Sequence, residues 1–217
     1  MVIVGVCGAS GSGKSTLAEK IASSLTSDTL ILGQDCYYKD QSHLPFDTRA
    51  KMNYDKPDIF DYGELLNDVT LLSAGRPISK KGYDYAEHRR ADPGDLIPAP
   101  DVLILEGIHI FYDEALCNKM SLKVYMQVDV DICLLRRIER DISERGRSIA
   151  SIADQYLRTV KPMYEQYISK YIDVADFAVM RGGHNHMAID AISAYISAKL
   201  LAESFVKDGV REEEGFS

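Results

Sequence analysis

The chain carries no tryptophan, only four cysteines, and fewer basic than acidic residues. It also has no apolar run of eighteen or more residues, so nothing in it is expected to span a bilayer. Cys7, Cys36, Cys117 and Cys133 form no Cys-x-x-Cys pair. Neither a zinc site nor a disulfide framework is expected, and buried free thiols account for them. With 25 Lys and Arg against 33 Asp and Glu, the net charge is −8, which argues against the broad basic footprint of a nucleic-acid binder. The opening "MVIVGVCGAS" has no basic stretch ahead of its short apolar run, unlike a secretory signal. Internal repeats and low-complexity linkers are absent too. The expectation is a cytoplasmic protein without nucleic-acid or membrane partners, with one domain over 1–205 and a mobile acidic tail over 206–217.

What is present is a 46% apolar share, enough for a full core. It is concentrated in short, β-branched runs: "VIVGVC" (2–7), "TLILG" (29–33), "DVLILEG" (101–107), "KVYMQVD" (123–129) and "DFAVM" (176–180). Such runs suit strands buried on both faces. Helical patterns lie between them, over 15–25, 63–74, 131–143 and 187–205. Strands alternating with helices predict a doubly wound α/β fold, with a mainly parallel sheet of about five strands covered on both sides. "GRPISKKGYDYAEHRRADPGD" (75–95) breaks the alternation. It is polar and turn-rich, and reads as a hairpin or long loop projecting from the sheet, where such segments tend to be functional.

The most informative stretch is "GASGSGKST" (8–16). Gly8, Gly13, Lys14 and Ser15 satisfy G-x-x-x-x-G-K-[ST], with an apolar strand before and an amphipathic helix after. Glycine lets backbone N–H groups converge on phosphate oxygens where a Cβ would collide. The new helix offers unpaired N–H groups and a positive dipole end to the same anion. Lys14 then reaches the β/γ-phosphates and Ser15 can ligate Mg²⁺. A nucleoside triphosphate is the expected ligand. The chain lacks the Asp-x-x-Gly turn of a GTPase switch, "NKMS" (118–121) lacks the carboxylate of a guanine-reading motif, and no Leu-Ser-Gly-Gly-Gln stretch marks a transporter ATPase. A second substrate that receives the phosphate is therefore favoured.

Two acids stand where that transfer would occur. Asp35 follows the second apolar run and Glu106 ends the third; in a parallel sheet both strand ends open beside the phosphate loop. An acid closing an apolar strand is costly unless it meets a cation, so Glu106 is expected to serve Mg²⁺, while Asp35 can take a proton from an acceptor hydroxyl. Capping the following turn is the alternative for each. "LLRRIERDISERGR" (134–147) supplies Arg136, Arg137, Arg140, Arg145 and Arg147, with a helix break at Gly146 suited to a hinged lid over about 143–165. Guanidinium groups there would neutralise the phosphoryl group in flight. A solvated, salt-bridged helix is the competing account, best suited to Arg136.

In this order and spacing, "GASGSGKST", "QDCYY", "NYDKPDIFD" (53–61), "YDYAEHRR" (83–90), "ILEGIHIFY" (104–112), "RRIERDISERGR" (136–147), "QYLRTVKPMYEQYI" (155–168) and "ADFAVMRGGHN" (175–185) resemble the uridine kinases (uridine–cytidine kinases). The resemblance lies within the wider group that includes phosphoribulokinase and runs from Val2 to Ile196. It implies a P-loop kinase that moves a γ-phosphoryl group from ATP or GTP, with Mg²⁺, to the 5′-hydroxyl of uridine or cytidine, and that assembles as a homotetramer. Asp35 matches the general base and stands with Ser15 and Glu106 on the magnesium side. Gly8, Ala9, Ser10, Gly11, Ser12, Gly13, Lys14, Ser15 and Thr16 match the nucleotide loop. Asp55, Arg137 and Gln155 match positions that hold the ribose hydroxyls. Tyr83 and His88 match those that read the pyrimidine edge, between aromatic walls from Tyr38, Tyr54 and Tyr85. Arg147 matches a substrate-contacting lid arginine, and Arg140 and Arg145 fit the phosphate side. Ala9 stands where relatives often have a second glycine. His184 stands where an acid often contacts the donor nucleotide, and with His186 it is expected to face solvent rather than a metal. Tyr125 and Tyr195 are expected to pack in the core. Two rival readings remain: a sibling kinase of ribulose 5-phosphate or pantothenate, to which Lys80, Lys81, Arg89 and Arg90 lend some support, and a nucleotide-binding regulator without turnover.

Overall fold

Apolar runs that are β-branched and only a few residues long become strands whose two faces must both be covered. The computed structural model describes the backbone of residues 1–214 and side chains through residue 205. Five strands form, β1 (Val2–Gly8), β2 (Thr29–Gly33), β3 (Val102–Gly107), β4 (Leu122–Gln127) and β5 (Phe177–Met180). They pair in parallel in the order β2-β3-β1-β4-β5, close to the bounds the sequence predicts.

Side-chain alternation along these strands divides the core in two. Val2, Val4 and Val6 point to one face, against Leu17 and Ile21 of α1 (Lys14–Ser24) and Ile189, Ile192 and Ile196 of the carboxy-terminal helix. Ile3 and Cys7 point to the other, with Leu65, Val69 and Leu72 of α2 (Tyr62–Ser73) and with Tyr171. Each fully buried aliphatic side chain contributes about 1.5–3 kcal/mol by leaving water, so the two layers hold the sheet edge rigid. On that edge, register sets Glu106 beside Val6 of β1 and Gly33 of β2. Asp35 lies in the 3₁₀ turn Gln34–Tyr37 that directly follows β2.

Two projections leave this frame. The hairpin holds two antiparallel pairs, Ile78–Ser79 with Leu96–Ile97 and Tyr83–Asp84 with Arg89–Arg90, so it closes slightly beyond its predicted end. Glu64 on α2 anchors it, meeting Arg90 at 2.6 Å and Lys81 at 2.7 Å. The second projection follows α3 (Val130–Ser143), where Gly146 turns the chain at φ 61°. It continues through α4 (Ile149–Gln155), a π-helical turn (Tyr156–Val160) and α5 (Lys161–Gln166).

The last helix, α6 (His186–Glu214), runs past residue 205, where the sequence pattern ends it. Of the segment expected as a tail, 215–217 and the side chains of 206–214 lie outside the described residues. Tyr125 is buried as expected. Tyr195 is not a core residue: it is 40% exposed, and its hydroxyl donates to the Ser121 carbonyl at 2.9 Å. A polar tip that reaches a backbone acceptor at the surface has no need of the core.

Candidate active site

The phosphate loop closes between β1 and α1. Gly11 and Gly13 have φ of 85° and 91°, a region open to glycine at little cost. Space is as restrictive as torsion, because a Cβ on Gly11 would collide with the Cys133 carbonyl of α3. Helix α1 starts at Lys14 with no side-chain cap and no acid in its first turn. Its leading N–H groups are thus left for an anion. Lys14 is buried and donates from Nζ to the Ala9 carbonyl at 3.0 Å, and the buried Ser12 hydroxyl has no partner. The turn around Gly183 sits directly on this loop: a Cβ there would come within 2.8 Å of Thr16 Cβ and 2.9 Å of the Leu17 nitrogen. Beside it opens a cleft of about 310 Å³ lined by Arg181, His184, Asn185, His186 and Met187. His184 and His186 are both exposed, and no group of three metal-ligating side chains forms among the described residues.

The two acids flank the loop. Ser15 Oγ donates to Glu106 Oε1 at 3.0 Å. Burial raises the pKa of Glu106, an effect opposed by the nearby charge of Lys14. A hydroxyl and a carboxylate held together at the loop's mouth are hard oxygen donors of the kind Mg²⁺ takes with substrate phosphates, so these residues fit the ion. Asp35 Oδ2 accepts a hydrogen bond from the Tyr85 hydroxyl at 2.8 Å. Above Tyr85 stands the Arg145 guanidinium, 4.6 Å from the ring centroid. The hairpin, the lid and Asp35 therefore meet at one point.

Four arginines converge on Asp141, which pairs with them as the salt-bridged-helix reading has it but is fully buried rather than solvated. Arg137, Arg140, Arg145 and Arg147 approach it at 3.7, 3.1, 3.4 and 3.2 Å. Arg140 also reaches Ser10 Oγ of the phosphate loop at 3.5 Å. Arg136, as expected, lies outside this cluster on the exposed side.

Next to the lid, Asp55, Arg137 and Gln155 come together. Arg137 donates to Gln155 Oε1 at 3.1 Å and lies 3.9 Å from Asp55, while Arg147 donates to the same Gln155 oxygen. Burial pushes the Asp55 carboxyl up and the Arg137 guanidinium down, and each charge partly offsets the effect on the other. Arg137 Nε is buried without a hydrogen-bond partner. Thr159, which the sequence reading missed, donates to Asp55 Oδ2 at 2.9 Å from within the π-helical turn. Asp55 and Arg137 line a pocket shared with Ala9 and Ser10 of the phosphate loop.

Rings complete the cluster. Tyr38 lies 5.3 Å from Tyr54 and 4.7 Å from Tyr83, and His88 stacks on Tyr54 at 5.2 Å with the planes 20° apart. Tyr85 meets Tyr83 edge-on at 5.3 Å. The Tyr54 and Tyr83 hydroxyls are buried and unpartnered, a state that costs about 1–3 kcal/mol per group until a ligand answers it. His88 sits at φ 50° at the hairpin tip, and burial with the arginines Arg49, Arg147 and Arg145 lowers its pKa. The residues the sequence assigned to the acceptor side thus fall in two groups, the rings around Tyr54 and the polar set around Asp55, that adjoin along the chain.

Residues 3–188 match the Phosphoribulokinase / Uridine kinase family. The chain belongs to that family. It is 44% identical over 206 residues to a uridine kinase of Geobacillus sp. (strain WCH70), covering 94% of this chain and 98% of that protein. A uridine kinase of Clostridium novyi (strain NT) is 44% identical over 204 residues, with 94% and 98% covered. The phosphoribulokinase structure from Rhodobacter spheroides superposes with a TM-score of 0.60 at 16% identity, over 82% of this chain and 69% of that one; at that identity the likeness speaks to the fold alone. The family is one of kinases, and ATP with Mg²⁺ is its general requirement. In the sequence of this kinase, Asp141 among arginines reads as a surface ion pair and a lone Thr159 gives no signal.

Proposed function

We propose that this protein transfers the γ-phosphoryl group of a nucleoside triphosphate to the 5′-hydroxyl of uridine or cytidine, giving UMP or CMP and the nucleoside diphosphate. One observation carries the reading: buried, unpartnered tyrosine hydroxyls and His88 in an aromatic cluster beside a buried Asp55–Arg137 pair. A pyrimidine offers flat faces for the rings and one polar edge for the hydroxyls and for His88. His88 can donate to a carbonyl at position 4 or, in the other tautomer, accept from an amine there. Vicinal ribose hydroxyls suit Asp55, Arg137 and Gln155.

In the reaction the Tyr85 hydroxyl gives up Asp35 and the 5′-hydroxyl takes its place. Asp35 accepts the proton as the oxygen attacks the γ-phosphorus, and the bond to the β–γ bridging oxygen breaks. Lys14, Arg140 and Arg145 neutralise charge on the phosphoryl oxygens, and closure of the lid removes water. Mg²⁺ held by Ser15 and Glu106, with Asp35 alongside, would screen the β- and γ-phosphate oxygens. The donor base occupies the cleft beside His184, with ATP or GTP as donor.

The sugar-phosphate alternative loses part of its support, since Lys81 and Arg90, two of its four basic residues, are already paired with Glu64, Asp68 and Asp92. A regulator without turnover would have no need of both Asp35 and Glu106. The protein works as a homo-oligomer, a tetramer by family resemblance. Purified protein assayed with uridine, cytidine, UMP, ribulose 5-phosphate and pantothenate tests the assignment: the two nucleosides should be the substrates turned over, and turnover of ribulose 5-phosphate or pantothenate in their place would refute it.

A further inference from the structure

His109 is the one fully buried histidine beside the site, and phosphoryl transfer as described leaves it unused. Phe60, Tyr112, Tyr167 and Tyr171 stand edge-on around its ring, with centroids at 6.1, 6.4, 5.8 and 5.8 Å. Inside this apolar cage both ring nitrogens have polar partners. Nε2 lies 2.6 Å from the Asp55 carbonyl and Nδ1 lies 2.8 Å from the Tyr171 hydroxyl. A carbonyl can only accept, so Nε2 carries the proton and Nδ1 accepts from Tyr171.

The backbone of the same residue is tied as firmly. Its N–H donates to Gln34 Oε1 at 2.9 Å, and its carbonyl accepts from the Tyr62 hydroxyl at 3.1 Å. Gln34 immediately precedes Asp35. Residue 109 therefore joins the segment that carries Asp55 and the segment that carries Asp35 to the end of β3. The Asp55 loop has few other anchors on its backbone: Asp55 N–H turns inward to Asn53, and Tyr38 donates to the Tyr54 carbonyl at 3.3 Å. Thr159 holds the Asp55 carboxylate, and the bond from His109 ties the Asp55 backbone to a residue outside its own loop.

We propose that His109 is a positioning residue for the acceptor: its Nε2–H fixes the Asp55 backbone and so aims the Asp55 carboxylate at the vicinal hydroxyls of the ribonucleoside. This rests on the reading of Asp55 as the ribose-binding acid. The imidazole touches no substrate; it works through the peptide it holds.

Three substitutions separate positioning from packing. His109→Gln places an amide donor near the level of Nε2 and keeps the bond to Asp55. His109→Asn reaches only the level of Nδ1, and His109→Leu fills the apolar cage with no donor. Steady-state kinetics with uridine and with 2′-deoxyuridine, at saturating ATP, give the readout. The Asn and Leu variants should raise KM for uridine roughly tenfold, the loss of one hydrogen bond, with less effect on 2′-deoxyuridine and with KM for ATP changed less than about twofold. The Gln variant should recover most of the uridine KM. If Leu matches the wild type, or if Gln is as impaired as Asn, the proposal fails; should one variant not fold, the remaining pair decides by the same comparison. Asp55→Asn, assayed alongside, tests the underlying reading. An unchanged uridine KM there would remove Asp55 from ribose binding, whereas a raised KM there with no effect of the His109 variants overturns the positioning role alone.

Discussion

Asp35 Oδ2 accepts a 2.8 Å hydrogen bond from Tyr85, and an acceptor alcohol at the same oxygen competes with that hydroxyl. Removing the charge while keeping the shape isolates the chemical role. Asp35→Asn should lower kcat by roughly 10²–10⁴-fold while calorimetry finds triphosphate binding little changed; near-normal turnover would take the proton-accepting role away from Asp35. His88→Ala should instead raise KM for both uridine and cytidine with kcat less affected, because it removes the polar group proposed to read the base and a stacking partner of Tyr54. An unchanged KM would move base recognition elsewhere. These residues were legible because they stand in motifs. His109 and Thr159 stand inside matched blocks without a role of their own there, and Asp141 reads only as a salt-bridge partner on its helix. The His109–Asp55 and Thr159–Asp55 contacts span 54 and 104 positions, and the sequence marks the Asp55 end alone.

At the scale of elements, strands and the phosphate loop were readable because their signals are local: β-branched runs of strand length, then glycines and a lysine at fixed spacing. The close seating of that loop on its neighbours was not readable. Gly11 abuts α3 through the Cys133 carbonyl, so the lid-bearing helix and the phosphate loop cannot shift independently. Gly11→Ala should therefore weaken ATP binding at least about tenfold by calorimetry and lower the melting temperature as well, since both φ and space oppose a Cβ. Wild-type affinity would show that the loop and α3 can separate. The π-helical turn in the lid escaped the sequence reading too. It brings Thr159 onto Asp55 just beyond Gln155, and extra-residue turns of this type recur at functional sites.

For the whole molecule, two buried or partly buried groups tie stability to pH. Burial, with a smaller repulsion from Lys14, holds His109 neutral and lowers its pKa to about 4, against a backbone hydrogen bond to Asp55 and an attraction from Asp58 that act the other way. The unfolded chain takes up this proton near pH 6.5 while the folded one does not, so stability is full above pH 6.5 and falls as pH drops toward 4. The gap of about 2.5 units corresponds to about 3 kcal/mol at 1.36 kcal/mol per unit. Glu64, with its pKa lowered to about 2 by Arg90 and then Lys81, adds a loss at lower pH, from about 4.5 downward. Denaturant melts between pH 7 and 4 should show a steeper decline for the wild type than for His109→Gln, and parallel curves would contradict the buried neutral imidazole.

The fold, the phosphate loop and the aromatic pocket all serve one claim, that phosphorus passes from a triphosphate to the primary alcohol of a pyrimidine ribonucleoside. The most direct test uses γ-³²P-labelled ATP with uridine and, in parallel, with 5′-deoxyuridine, followed by chromatographic identification of the labelled product. The account expects label in uridine 5′-monophosphate and no labelled product from 5′-deoxyuridine. Label on a 2′- or 3′-oxygen, or equal labelling of 5′-deoxyuridine, would contradict it.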